Sequence, residues 1–325
     1  MKIVLIVGTG ASGSGAIYDF LTKSTKYKNP FKGQEFRIID DPDGILNMYY
    51  NFYINHSINN PSNAIMRFKN YIENLINLKV KINNKQTNVY DKKILSITNE
   101  YIRNITTLSY HAYPQFIEIQ TSFFKRKFFN FKKKISQSKG GGNLFNMYLP
   151  VKKEIFLKQS KNYLRKIIQC HSQSKKINHI ILDQSLNMWN FTEIFSYFDD
   201  VKIIVVTRDP RSIFNSMKNR HAKAYPGYNL KIWTKWYEQI MHKFINYKKK
   251  IPKKYKKYVL EIKFEDFCQN YESERNKVLN FLNTKKINDN FDIKNSKFNL
   301  FKAKKELSVF EKNYIKKKLS KYLQW

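Results

Sequence analysis

The chain has 325 residues, of which 42% are hydrophobic, so it is long enough and apolar enough to bury a full globular core. A formal net charge of +35 attracts anions such as nucleic acid, acidic polysaccharide or an anionic membrane face, without choosing among them. The two cysteines, Cys170 and Cys268, exclude a disulfide framework, and no apolar stretch approaches the length of a membrane span. We therefore expect a soluble, cytoplasmic protein, with peripheral attachment to a membrane left open.

The first predicted elements are a strand, a glycine-rich turn and a helix. Residues 3–7 form a short apolar run typical of a buried strand, and residues 16–21 have the pattern of a helix start. Glycines let backbone N–H groups approach a phosphate, and a helix N-terminus adds unpaired donors and a partial positive charge. We therefore predict that this turn binds a phosphorylated compound. Its residues are Gly8, Thr9, Gly10, Ala11, Ser12, Gly13, Ser14 and Gly15.

The glycine turn fits more than one class of phosphate compound. Gly8, Gly10 and Gly13 spell GxGxxG, the fingerprint of dinucleotide-binding folds. The outer spacing also fits a P-loop, but Ser14-Gly15 stands where ATP or GTP hydrolysis requires Lys followed by Ser or Thr. A nicotinamide- or flavin-dependent oxidoreductase, with Asp40 or Asp41 holding a ribose, is therefore one alternative. A turn that binds no ligand is another.

The segment after the first helix is predicted to shape a substrate cleft. Residues 36–39 fit a short strand or an extended loop, and residues 41–44 (DPDG) predict a turn. Apolar residues recur at helical spacing in residues 65–78 and around residues 101–110, so residues 47–175 are predicted to form a mostly helical insertion on the substrate side.

Two stretches inside this insertion have an unusual composition. Residues 123–134 alternate aromatic and basic side chains, which fits a surface for anionic polymers and an amphipathic helix with a solvated basic face equally well. Three consecutive glycines at positions 140–142 predict a loop.

From residue 150 onward, predicted strands alternate with predicted helices. This alternation calls for a parallel sheet with crossover helices and therefore for an α/β fold. The C-terminal residues 302–323 are predicted to form a pair of basic amphipathic helices. The predicted strands are residues 179–185, 201–210 and 258–264, and the predicted helices are residues 152–169, 191–198, 212–220, a long one around Trp233, and 272–282.

The second informative motif is VVTRDPRSIFNSMK, residues 205–218. Asp209 is a candidate N-cap and Pro210 occupies the favoured first position of the following helix. Arg208 leaves the carboxyl end of a buried strand, where ligands of parallel sheets bind, and Ser216 follows it by eight positions. A guanidinium and a hydroxyl suit a phosphate monoester, whereas a purely structural pairing of Arg208 with Asp209 or Asp183 is the alternative.

The two motifs together resemble the sulfotransferase family that uses 3′-phosphoadenosine 5′-phosphosulfate (PAPS). In that family an N-terminal strand–loop–helix holds the 5′-phosphosulfate. A later strand, which ends in Arg-x-Pro with a Ser eight residues after the Arg, holds the 3′-phosphate. Residues 8–16 and 208–216 match these motifs in order, and residues 182–185 and 264–267 are similar to lesser landmarks of the family. Many members carry Lys or Arg before the Ser/Thr-Gly-Ser/Thr triplet, where this chain has Ala11.

The resemblance implies a fold, a donor and a set of site residues. The fold would be a P-loop-like three-layer α/β domain over residues 1–325, with a central parallel sheet flanked by helices. PAPS would be the co-substrate, held by residues 8–15, Arg208 and Ser216, and no metal is expected. Ser12 and Ser14 would stabilise the departing phosphate. Glu35 stands where carbohydrate-acting members often carry the general base, with Asp40, Asp41 and His111 as rivals and pairing with Arg37 as its structural alternative.

The sequence thus predicts an enzyme that transfers a sulfuryl group from PAPS to a hydroxyl of a carbohydrate or glycan precursor, such as a bacterial surface polysaccharide. The acceptor is expected to be a glycan, which could itself be anionic, and no specific nucleic acid is expected. Two alternatives are a GxGxxG oxidoreductase, which has no need of Arg208 and Ser216, and a non-catalytic binder of anionic polymers.

Overall fold

The computed structural model describes residues 1–82, 84–112, 127, 145–172, 178–220, 224–288 and 290–324. The chain divides into two compact units, one formed by Met1–Arg37 with Ser174–Trp325 and the other by Ile38–Gln173. Apart from Lys127, the aromatic–basic stretch at residues 123–134 lies outside the described residues, as do the three glycines at positions 140–142.

The first unit is built on a four-stranded parallel sheet of β1 (Lys2–Gly8), β6 (His179–Asp183), β7 (Val201–Thr207) and β8 (Val259–Lys263), in the order β6-β1-β7-β8. The first strand lies between β6 and β7, so the turn that follows it emerges where two neighbouring strands also end. Ile6 pairs with Asp183 on one side and with Ile204 on the other.

Helices connect and flank these strands. Two 3₁₀ segments, Phe191–Ser196 and Ser320–Tyr322, complete the regular structure described for this unit. The helices are α1 (Ser14–Ser24), α6 (Pro210–Arg220), α7 (Leu230–Lys249), α8 (Lys253–Lys256), α9 (Phe264–Gln269), α10 (Tyr271–Leu282), α11 (Lys294–Leu300), α12 (Lys302–Glu306) and α13 (Val309–Leu319).

Both faces of the parallel sheet are covered. Successive side chains of a strand point to opposite faces, and Val4 and Ile6 join a buried cluster with Ile17 and Phe20 of α1. Their neighbours on the opposite face, Ile3 and Leu5 among them, are equally buried. Because parallel strands covered on both faces read as continuous apolar runs, residues 3–7 predicted this arrangement correctly. The predicted three-layer α/β architecture is thus confirmed.

The second unit combines helices with two antiparallel hairpins. The hairpins were not predicted: residues 101–110, expected to be helical, end a helix and then enter a strand. The elements of this unit are α2 (Ile45–Tyr49), a π-helical turn (Tyr50–Ile54), α3 (Asn60–Ile76), β2 (Lys79–Ile82), β3 (Lys85–Asn88), α4 (Ile94–Asn104), β4 (Thr106–Ala112), β5 (Phe145–Pro150) and α5 (Lys153–His171).

Other predicted elements are confirmed with shifted bounds. Residues 36–39 are not a strand but lie in loops and turns, the second of the two predicted possibilities. The Gly44 N–H donates to the Asp41 carbonyl oxygen at 2.7 Å, which closes the predicted turn.

Within the described ranges, no helix combines the length and the apolar character needed to cross a bilayer.

Candidate functional site

The glycine turn ends in a backbone conformation that favours glycine. Gly13 has φ 89° and starts α1, and a Cβ there would lie 2.2 Å from the Phe264 ring. The Ser12 N–H donates to the Thr9 carbonyl oxygen at 3.0 Å, and no side chain of a described residue caps the N-terminus of α1. The first-turn N–H groups of this helix are thus not consumed by a side-chain cap, as an anion-binding helix start requires.

Ser12 lies under the turn. A Cβ on Gly8 would come within 2.1 Å of the Ser12 hydroxyl oxygen. Any larger residue at position 8 would therefore collide with this hydroxyl. The Ser12 hydroxyl is buried and has no hydrogen-bond partner among the described residues.

Gln184 holds the turn from the neighbouring strand. Its Oε1 accepts from the Gly8 N–H at 3.4 Å, and its Nε2 donates to the Ser14 hydroxyl at 3.1 Å. The residue follows β6 directly and has φ 50°, a left-handed conformation that a non-glycine residue adopts at a cost. Gln184 therefore links both ends of the glycine turn to the end of β6.

Arg208 joins the second motif to the first. Its Nη1 donates to the Ala11 carbonyl oxygen at 3.1 Å and lies 3.5 Å from the Ser216 hydroxyl, while Nη2 donates to the Asn299 carbonyl oxygen at 3.0 Å. The guanidinium stacks over the Phe264 ring, 4.6 Å from its centre. Arg208 is only 6% exposed, so these contacts hold a buried cation at the carboxyl edge of the sheet.

The structural alternative for Arg208, pairing with Asp209, is not what the structure shows. The buried Asp209 carboxylate accepts from Arg211, through Nε at 2.9 Å and Nη2 at 2.8 Å, and from the Arg211 N–H at 2.9 Å. That last bond makes Asp209 the predicted cap of α6. Burial lowers the pKa of the Arg208 guanidinium, and the nearby Glu265 carboxylate opposes that shift. Glu265 itself has its pKa raised by burial, so the positive charge of Arg208 lies in a region of low polarity.

A pocket of about 90 Å³ opens beside Arg208 and Ser216. Three of its lining residues are cations, and its one carboxylate, Glu306, accepts from the side-chain amides of Asn215 and Asn219 at 2.6 and 3.1 Å. The pocket thus presents positive charge and amide groups together. It is lined by Arg208, Ser212, Asn215, Ser216, Asn219, Arg220, Asn299, Lys302, Ala303 and Glu306.

Glu35 lies near a second carboxyl group. The N–H of Phe36 donates to the Asp183 carbonyl oxygen at 3.2 Å, which anchors this segment to the end of β6. Burial, and then the Glu35 charge, raise the pKa of Asp183 to about 7, and its buried Oδ1 has no hydrogen-bond partner among the described residues. Glu35 is half exposed and also pairs with Arg37 at 3.3 Å. The predicted base and its predicted structural pairing are therefore both compatible with the observed geometry.

The rival base candidates Asp40, Asp41 and His111 lie in the second unit, as does the turn residue Asp43. The Asp41 carboxylate accepts from the Tyr71 hydroxyl at 2.8 Å, and Asp43 pairs with Arg67 at 2.9 Å. His111 is an exposed residue of β4, opposite Asn146 of β5. Asp40 belongs to the same unit. None of these positions is needed to explain the glycine turn or the Arg208 pocket.

Several residues of the site were missed by sequence reasoning. Gln184 and Phe264 stood in stretches noted as lesser landmarks, but nothing local indicated that they contact the glycine turn. Tyr225 packs its ring against Gly10, 2.5 Å from where a Cβ would lie. Asn299 and Lys302 join the pocket from the C-terminal helices. Their only sequence signal was a basic, amphipathic pattern, which is not specific to a binding site.

Comparison with known proteins identifies one family. The model of the Sulfotransferase family matches residues 4–289, a range that includes the glycine turn, Glu35, Arg208 and Ser216. No curated protein sequence matches the chain.

Three solved structures illustrate the structural likeness. The sulfotransferase domain of the Synechococcus PCC 7002 olefin synthase is 11% identical, with 98% of this chain and 94% of that chain covered and a TM-score of 0.42. A sulfotransferase domain from the curacin biosynthetic pathway is 13% identical, with 98% and 97% covered and a TM-score of 0.44. The sulfotransferase STF9 from Mycobacterium avium is 8% identical, with 99% and 76% covered and a TM-score of 0.40.

Proposed function

The chain belongs to the Sulfotransferase family, and on that premise we propose that it transfers a sulfuryl group from PAPS to a hydroxyl of a carbohydrate or glycan precursor. The observation that carries the proposal is the double contact of Arg208, whose Nη1 lies 3.1 Å from the Ala11 carbonyl oxygen and 3.5 Å from the Ser216 hydroxyl. One guanidinium thus connects the glycine turn with a cationic pocket. PAPS carries phosphate groups at two separate positions, so its binding requires two such neighbouring sites.

The glycine turn is assigned to the 5′-phosphosulfate. Support comes from the uncapped N-terminus of α1 and from the buried Ser12 hydroxyl, which has no partner among the described residues. The Ser14 hydroxyl accepts from Gln184, so its own hydrogen remains available as a donor. The backbone N–H groups of the helix start and the hydroxyls of the turn are the groups that would stabilise negative charge on a departing phosphate.

The pocket beside Arg208 is assigned to the 3′-phosphate. Arg208, Arg220 and Lys302 supply positive charge there, and Ser216 supplies a neutral donor. An arginine fork is well matched to the oxygens of a phosphate monoester. Because Arg208 is already held by Phe264 and by the Asn299 carbonyl oxygen, its ordering would cost little when a phosphate binds.

Ala11 lies where many family members carry a cation. Here the Arg208 guanidinium reaches that place from β7, through its bond to the Ala11 carbonyl oxygen. We assign to Arg208 part of the charge stabilisation that a turn lysine would otherwise give. This assignment explains how the chain can keep the activity without a cation in the turn itself.

The transfer needs a group that removes the proton from the acceptor hydroxyl, and we assign this role to Glu35. It is half exposed, as a group that meets an acceptor must be, and it lies close enough to Asp183 to raise the pKa of that carboxyl. The donor, when bound, supplies the sulfuryl group and leaves as adenosine 3′,5′-bisphosphate. The sulfur–oxygen bond to the acceptor forms as the bond to phosphate breaks, and the acceptor proton passes to Glu35.

The proposal also specifies that the acceptor is a carbohydrate. It is supported by the place of Glu35 soon after the first helix and by a net charge of +35, which suits an anionic polysaccharide. A direct test incubates the full chain with ³⁵S-labelled PAPS and a panel of acceptors: a neutral polysaccharide, an acidic polysaccharide, a lipid-linked oligosaccharide and a simple phenol. We expect label on at least one of the carbohydrates.

Glu35→Gln is the variant for this assay, with Glu238→Gln as its matched control. Both glutamates are about half exposed and form an ion pair, Glu35 with Arg37 and Glu238 with Lys321. We expect Glu35→Gln to lower the transfer rate by roughly 10²- to 10³-fold, because general-base catalysis contributes on that scale, and the control to keep its rate. Label on the phenol alone would contradict the carbohydrate acceptor, and absence of label on every acceptor would contradict the function.

A further inference from the structure

The C-terminal helices carry large apolar side chains on their exposed surface. Phe298 and Phe301 are 72% and 40% exposed, and Val309 and Phe310 are 72% and 67% exposed. The first pair stands three positions apart at the end of α11, and the second pair begins α13. Single exposed apolar residues are ordinary in proteins, but a group of them marks a surface that meets a partner.

Lysine contacts connect the two pairs into one surface. The Lys304 Nζ lies 4.8 Å from the centre of the Phe301 ring. The Lys312 Nζ donates to the main-chain oxygen of Lys304 at 2.6 Å, and Lys312 stands three positions after Val309, on the same side of α13. We call this surface the C-terminal face. It comprises Phe298, Phe301, Lys304, Lys305, Val309, Phe310 and Lys312.

Positive charge dominates around the C-terminal face. Residues 294–321 contain ten lysines and two acidic residues, Glu306 and Glu311. Both glutamates are engaged with α6: Glu306 accepts from the Asn215 amide at 2.6 Å, and Glu311 accepts from Lys218 at 2.7 Å. The lysines of this segment therefore have few carboxylates nearby to neutralise them.

We propose that the C-terminal face binds an anionic phospholipid bilayer. Phe298, Val309 and Phe310 insert at the level of the headgroups, while Lys304 and Lys305 contact lipid phosphates. Exposed apolar residues beside lysines favour attachment to a membrane surface, because binding there combines buried apolar area with attraction to anionic lipid. Nucleic acid or an acidic polysaccharide would engage the lysines equally well, and unpaired bases could stack on the phenyl rings, but neither would take Val309 out of water. The exposed apolar residues therefore favour a bilayer.

The test is co-sedimentation of the full chain with vesicles. One set is made of phosphatidylcholine alone, and the other contains about a quarter phosphatidylglycerol. We expect the chain to bind the anionic vesicles at least about tenfold more tightly, and to lose most of that preference between about 0.1 M and about 0.5 M salt. Equal binding to the two sets, or binding to neither, would overturn the proposal.

Two variants separate insertion from simple charge attraction. The triple variant Phe298→Ser, Val309→Ser, Phe310→Ser is expected to weaken binding to anionic vesicles about tenfold. Its matched control is Tyr228→Ser with Ile232→Ser, which are 70% and 47% exposed beside and on α7. Loss of binding in the triple variant but not in this control supports the proposal.

A charge variant completes the test. Lys304→Glu with Lys305→Glu is expected to weaken binding to anionic vesicles about tenfold, whereas Lys253→Glu with Lys256→Glu on α8, an equal change in charge, should change it less than about twofold. Binding that depends on the lysines and not on the apolar residues would show charge attraction without insertion and would overturn the proposal. Circular dichroism of each variant verifies that the chain remains folded.

Discussion

The Arg208 guanidinium donates a hydrogen bond to the Ala11 carbonyl oxygen at 3.1 Å, across 197 positions of the sequence. This bond ties the helix-starting turn after β1 to the end of β7, the neighbouring strand. It also brings a positive charge to the one position of the glycine turn where the chain departs from the family pattern. The proposed donor site depends on this contact.

Replacing Arg208 by lysine should separate the role of charge from that of geometry. An ammonium group keeps the positive charge but cannot reach the Ala11, Ser216 and Asn299 oxygens together. We expect Arg208→Lys to weaken binding of adenosine 3′,5′-bisphosphate roughly 10- to 100-fold, the equivalent of one or two charge-assisted hydrogen bonds. Calorimetric titration measures this, with Arg275→Lys, at an arginine of α10 that pairs with Glu272, as control. Unchanged affinity in Arg208→Lys would show that charge alone suffices.

Two glycines of the turn should respond in opposite ways to alanine. Gly13 has φ 89°, and a Cβ there would lie 2.2 Å from the Phe264 ring, whereas a Cβ on the exposed, helical Gly15 meets no atom within 4 Å. We expect Gly13→Ala to lower the free energy of unfolding by about 2–4 kcal/mol, through a left-handed backbone and overpacking. Gly15→Ala should raise it by about 0.5–1 kcal/mol, because alanine favours helix. Urea unfolding measures the free energy of unfolding of both variants. Equal changes in that free energy would contradict the observed geometry of the turn.

Ala11 stores backbone strain that glycine would relieve. It has φ 63°, in the left-handed region that disfavours a Cβ. We expect Ala11→Gly to raise the free energy of unfolding by about 0.5–1 kcal/mol, which is the left-handed penalty less the entropy that glycine gains in the unfolded chain. The same change at Ala16, in the first turn of α1, should lower it by a similar amount. Destabilisation by both changes would show that Ala11 is not strained.

Asp183 should make stability depend on pH. Because its pKa is raised from 3.8 to about 7 in the folded chain, the folded state holds a proton that the unfolded state releases above about pH 4. The free energy of unfolding therefore falls as the pH rises from about 4 to about 7, by at most about 4 kcal/mol for a shift of three units.

The variant Asp183→Asn removes this titration. Its unfolding free energy, measured in urea from pH 4 to pH 8, should fall less steeply than that of the unaltered chain over the same window. Asp19→Asn, which removes an exposed carboxylate paired with Lys23, controls for the loss of one negative charge. Parallel curves for Asp183→Asn and the unaltered chain would contradict the raised pKa.

Local patterns predicted the parts of the fold that are determined locally. The apolar run before the glycine turn and the Asp209-Pro210 helix start gave β1, α1, β7 and α6 within a few residues. The same patterns failed at residues 106–112, where β4 pairs with β5 more than 30 residues away. A strand that is stabilised by a distant partner carries little signal in its own sequence.

The candidate site was likewise predicted only where the signal is local. The glycine turn, Arg208 and Ser216 were predicted because each stands in a motif with its own chemistry. Gln184 contacts Gly8 across 176 positions, and Asn299 contacts Arg208 across 91. Such contacts arise from the packing of strands and C-terminal helices against one another, which no short stretch of sequence encodes.

The most direct test of the proposed donor site is calorimetric titration of the unaltered chain and of Arg208→Ala with adenosine 3′,5′-bisphosphate, adenosine 5′-monophosphate and the dinucleotides NADH and NADPH. We expect the bisphosphate to bind with a dissociation constant on the order of micromolar, and the monophosphate, which lacks the 3′-phosphate, at least about tenfold more weakly. Arg208→Ala should abolish the difference between the two. Binding of a dinucleotide but not of the bisphosphate, or a bisphosphate affinity unaffected by Arg208→Ala, would contradict the proposed donor site.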